Sequence, residues 1–148
     1  MSKHPAEGTG KPSSKIAGGV EVPIGSVPHQ VLLTVDDYYF CPGSIIDRDF
    51  VITAGQCCLN ILPTGVLAGL NDLASPEDGA QKANVDQVVS HPNCTAEKRS
   101  NDICLIHLKE PLTFGNTTAI VKLPPAGYAA KGNANVTGWG SSLNGSSS

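Results

Sequence analysis

The sequence predicts an all-β chain organised around one small closed barrel. Two observations carry this. Six apolar, β-branched runs of strand length recur between turn signals within about 80 residues. Helical periodicity is absent, because Pro or Gly interrupts nearly every candidate window. A chain of 148 residues has room for one domain with a real core, but not for a two-domain enzyme of ordinary size.

Taken in order, residues 1–15 (MSKHPAEGTGKPSSK) are polar and too poor in large apolar groups to pack, so they are expected to be a disordered leader. Order is expected to begin near Ile16. The strand candidates are QVLLTV at 30, YYFCPGSII at 38, FVIT at 50, TGVLAGL at 64, KANVDQVVS at 82 and DICLIHL at 102. After Leu108 the stretch KEPLTFGNTTAIVKLPPAGYAAKG is loop-rich. NANVTGWG then has the composition of one more strand, and SSLNGSSS at 141–148 that of a flexible tail. In this reading the late strand has no partner, and its exposed edge is a liability.

Composition narrows the function classes. Apolar residues make up 40% of the chain, charged ones only 16%, and the formal net charge is −3. A weakly acidic globular surface of this kind argues against nucleic acid as a partner. No run approaches the roughly 18 consecutive apolar residues of a spanning helix, so a membrane is not expected either. Cys41, Cys57, Cys58, Cys94 and Cys104 lack paired CxxC spacing, which favours a disulfide framework with one leftover thiol over a zinc site. Yet the leader has no apolar core of a secretory signal. Sequons at Asn93, Asn116, Asn135 and Asn144 suit secretion, although such short patterns arise readily by chance.

Four stretches in a fixed order carry a resemblance. IAGGVEVPIGSVPHQV, CPGSII with VITAGQC, NDICLIHL and VTGWG together resemble the N-terminal half of a trypsin-like serine protease of the chymotrypsin fold, in wording closest to crustacean trypsins. The resemblance covers about Ile16 to Gly140. It implies a six-stranded antiparallel Greek-key barrel over 16–112, an interdomain connection over 113–132, and over 133–140 the first strand of an incomplete second barrel. It also implies a zymogen-like activation cleavage between Lys15 and Ile16. The aspartate that receives the freed amino group in such proteases belongs to the second barrel, beyond the resembling half.

The resemblance further pairs Cys41 with Cys57. For Cys58 and Cys104 two readings stay open, a second bridge or a small buried apolar residue at 104. Cys94 is then the odd thiol. In the catalytic triad, Asp102 takes the carboxylate position, buried by the strand that follows it, and Gln56 takes the imidazole position. Peptide hydrolysis by this chemistry needs an imidazole to accept the proton of an attacking serine and pass it to the leaving amine. An amide has no basic nitrogen near neutrality and cannot serve. His4, His29, His91 and His107 are read as surface or strand histidines.

No GDSGG-like nucleophile segment occurs, and Ser141, Ser142 and Ser146 to Ser148 lie in the polar tail. Trypsins often hold calcium in the loop corresponding to AGLNDLASPEDGAQK. Here Leu70 and Ala80 replace two acidic ligands, leaving Asn71, Asp72, Glu77 and Asp78, so no metal site is expected. No cofactor is implied. The expectation is a truncated, proteolytically inactive serine protease homologue, extracellular by resemblance, that binds a protein partner or protease inhibitor through loops near Tyr38 and Asn60. Its oligomeric state is left open. The alternatives are a fragment of a full-length secreted serine endopeptidase, and the product of a broken gene with no biochemical role.

Overall fold

The computed structural model describes residues 19–73, 79–97 and 100–139, and of Tyr39 the backbone alone. Residues 22–135 form one compact unit, described first. Six strands appear where the apolar runs predict them: β1 Gln30–Val35, β2 Tyr38–Ile45, β3 Phe50–Thr53, β4 Gly65–Ala68, β5 Gln81–Ser90 and β6 Cys104–Leu108. A short 3-10 helix, Gly55–Cys58, follows β3.

All pairings are antiparallel, and the sheet closes on itself in the order β1-β2-β3-β6-β5-β4. The return of β6 to lie beside β3 is the Greek-key step. Closure leaves no open ladder edge for another chain to extend. The turn from β1 to β2 is a two-residue hairpin in which Asp36 and Asp37 both take positive φ (48° and 69°), the conformation whose twist matches the flanking strands. Lys82 Nζ, on β5, donates to Asp37 Oδ1 in this turn.

The core follows from alternation. In β6, Cys104, Ile106 and Leu108 are buried while Leu105 and His107 are only half-buried, and in β3 the buried residues are Val51 and Thr53. These meet Val31 and Leu33 from β1, Ile45 from β2, Val66 and Ala68 from β4, and Ala83 from β5. Leu112, just past β6, closes one end of this cluster.

Two ladders shift register. Between β1 and β2 the shift falls after Leu33, and between β5 and β6 it falls between Val85 and Gln87, so that Asp86 is the extra residue of a bulge. Past residue 112 no strand forms up to 135; the chain is held by single contacts, among them Ala119 N–H to Pro28 carbonyl and Val121 N–H to Ile45 carbonyl.

The strand expected over 133–140 is not formed among its described residues. Residues 133–135 carry no ladder bonds, and in the second unit residues 136–139 carry none either. Apolar composition alone does not make a strand, because an isolated one satisfies none of its backbone groups. The leader over 1–15, Lys15 and Ile16, and the tail over 141–148 lie outside the described residues. No described helix is long and apolar enough to cross a membrane.

Candidate functional site

The register between β3 and β6 builds the site. Thr53 pairs with Cys104, so a continuing ladder would set Asp102 opposite residue 55. The ladder instead ends there. Ala54 is extended (φ −67°, ψ 141°), and the chain turns into the 3-10 helix, closed by Cys57 N–H on the Ala54 carbonyl. On the facing side Asn101 takes a positive φ of 57°, which Asn tolerates better than most residues. Ile103 N–H bonds back to the Asn101 carbonyl, and this tight turn presents the Asp102 carboxylate to the helix.

Gln56 and Asp102 are accordingly brought together. The Gln56 backbone N–H donates to Asp102 Oδ1 at 2.8 Å, and its side-chain Nε2 donates to Oδ2 at 3.3 Å. Both carboxylate oxygens thus accept a bond from one residue. Gln56 is exposed and Asp102 half-buried. The expectation of a buried Asp102 therefore needs correction: Asp102 precedes the first ladder residue, and its neighbour Ile103 is itself 44% exposed, so the apolar strand shields only one side.

Covalent bonds fix the helix from both ends of the pair. Cys57 bridges to Cys41 on β2, and Cys58 bridges to Cys104 on β6. Of the two readings left open at Cys104, the bridge is the one observed. Cys94 is free and buried, the leftover thiol. It has a specific place: a Cβ built on Gly55 would lie 2.4 Å from Cys94 Sγ and 2.9 Å from the Ile103 backbone nitrogen. The sulfur fills the space that glycine leaves, a complementarity that the sequence did not suggest.

The histidines fall elsewhere. His91 Nδ1 accepts the Asn93 backbone N–H at 3.1 Å. His107 lies 2.9 Å from Asp86 Oδ2 through Nδ1, 3.8 Å from Asp49 Oδ2 through Nε2, and against the Phe50 ring at a centroid distance of 4.9 Å. The side chain that meets the Asp102 carboxylate is Gln56, not an imidazole. The His107–Asp86 contact depends on the β5 bulge and carried no signal in the sequence. In the loop after β4, Asn71 Nδ2 donates to the Val22 carbonyl, and Glu77 and Asp78 lie outside the described residues. Among the described residues no group of three His, Cys, Asp or Glu side chains could hold a metal ion.

A closed Greek-key barrel carrying a carboxylate against a disulfide-flanked helical turn is the N-terminal architecture expected of a trypsin-like protease. The family model described as Trypsin matches residues 16–148. Among curated relatives, Trypsin-1 of Astacus astacus is 34% identical over 139 residues, covering 88% of this chain and 59% of the relative. Serine protease 1 of Canis lupus familiaris is 35% identical over 126 residues, covering 85% and 50%. Coagulation factor IX of Cavia porcellus is 32% identical over 139 residues, covering 88% and 49%. The chain belongs to the trypsin family. It spans about half the length of the curated relatives it matches.

Proposed function

We propose that this chain is a trypsin-family serine protease homologue that does not turn over peptides and acts by binding a protein, outside the cell. The observation that carries the reading is the Gln56–Asp102 pair. The carboxylate accepts two bonds from Gln56, as an orienting carboxylate would from an imidazole. The partner it orients is an amide that cannot take a serine proton. This holds whatever chain follows Ser148. Two bridges in a small barrel support an oxidising compartment. Tyr38 (79% exposed), Ile61 (55%) and Leu62 (57%) give the expected loops apolar contact area for a protein partner or a protease inhibitor.

The test is peptide hydrolysis and fluorophosphonate labelling by the full-length natural protein, with and without Gln56→His. The parent is expected to show neither above background. Loss of the histidine from a subtilisin triad lowers kcat by about 10⁶, so returning an imidazole should raise turnover by orders of magnitude in a protein whose other groups are intact. Stoichiometric labelling together with turnover by the parent would overturn the reading. For the binding role, a protein inhibitor of serine proteases should associate with the parent and lose affinity with Leu62→Ser; equal affinity for both excludes this loop as the contact.

A further inference from the structure

We propose that Asn93 is an N-glycosylated residue and that the loop 91–97 carries its glycan beside the turn bearing Gln56. The inference rests on the extracellular reading above, and the structure separates this sequon from the others. Asn93-Cys94-Thr95 lies in a turn just after β5, closed by Cys94 N–H on the His91 carbonyl at 2.9 Å and by Asn93 N–H on His91 Nδ1 at 3.1 Å. Asn93 and Thr95 are exposed while Cys94 between them is buried against Gly55. The two residues that a glycosyltransferase must engage together are thus both exposed on an anchored turn. The sequon stays presentable after the barrel closes.

Asn116-Thr117-Thr118 does not. Thr118 is 1% exposed and its Oγ1 accepts a bond from Gln81 Nε2 at 3.2 Å, so folding withdraws the hydroxyl. The Asn116 carbonyl also lies so close to Gly25 that a Cβ there would come within 2.7 Å of it. The Asn135 triplet is divided between the two units, and Asn144 lies outside the described residues.

The chemistry is transfer of an oligosaccharide from a lipid-pyrophosphate donor. A bond forms between Asn93 Nδ2 and the sugar's anomeric carbon, the bond from that carbon to phosphate oxygen breaks, the amide gives up one proton, and the lipid pyrophosphate leaves. The product is a bulky, solvated group on the surface of the protein. Because Cys94 Sγ packs on Gly55, the glycan would stand next to the free thiol and within a few residues of Gln56. It would obstruct approach to both.

The experiment is secretion of the full chain from a glycosylating eukaryotic host, followed by amidase release of glycans and peptide mass mapping. Amidase should convert Asn93 to Asp and increase gel mobility. Asn93→Gln and Thr95→Ala should abolish that mobility change, and Thr95→Ser should keep it. A mobility change lost with Asn116→Gln and kept with Asn93→Gln overturns the proposal. Thiol counting keeps its failure distinct from that of the extracellular reading. Protein with one free thiol and an unmodified Asn93 defeats the glycosylation alone, whereas five free thiols and an unmodified Asn93 defeat both.

Discussion

Strand β6 carries a nitrogen–carboxylate pair near each end, and the two are built differently. At its start, Asp102 holds Gln56 on a turn that two disulfides fix. Toward its end, His107 meets Asp86 at 2.9 Å on the outside of the barrel, with side chains 34% and 50% exposed. The imidazole–carboxylate contact that proton transfer would need is therefore present in this protein, but on an open strand surface rather than beside the stapled turn. A pair of residue types does not make a site. What distinguishes the first position is the covalent and steric frame that holds it.

The largest expected effect comes from cutting that frame. Cys58→Ala with Cys104→Ala opens a bridge between residues 46 apart, for which loop-closure entropy gives a loss of about 4 kcal/mol. Chemical denaturation should show the drop, with Cys41–Cys57 still intact by mass. If stability is unchanged, the turn is held by packing and the contrast between the two ends of β6 disappears.

Gly55→Ala should cost less, about 2 kcal/mol from overpacking. The added methyl would meet Cys94 Sγ at 2.4 Å. Cys94→Ala in the same chain should recover part of the loss, because the Ile103 backbone at 2.9 Å still crowds the methyl. Additive behaviour of the two substitutions in a double-mutant cycle would show that the sulfur does not support this turn.

The strands were legible because each apolar run is as long as a barrel strand and is bounded by Pro, Gly, Asn or Asp. Which face is buried was not legible in FVIT, where Thr53 is buried while Phe50 and Ile52 are only half-buried. The pairing of Gln56 with Asp102 was legible only through motif order, since nothing local to ITAGQC or NDICL says that they meet. Three features escaped. The Gly55–Cys94 fit is a contact between loops distant in sequence, and no pattern records it. The bulge at Asp86 changes the register of β5 without any Gly or Pro to announce it. NANVTGWG has the composition of a strand, yet ladder pairing decides whether a strand forms, and its described residues join no ladder.

The smallest effects should separate the two carboxylates themselves. Asp102→Ala removes both carboxylate oxygens that Gln56 donates to, one of them from its backbone N–H. Losing a hydrogen bond to a carboxylate at this exposed amide costs about 1 kcal/mol. Asp86→Ala removes one partner from a His107 that stays in contact with Phe50 and near Asp49. An exposed pair of this kind is worth at most about 0.5 kcal/mol. Urea unfolding of the two variants should therefore rank them in that order, and hydrogen exchange at the Gln56 amide should accelerate in Asp102→Ala alone. If Asp86→Ala proves the more damaging, the outer pair is a structural element of the barrel, and the frame around Gln56 does not depend on its carboxylate.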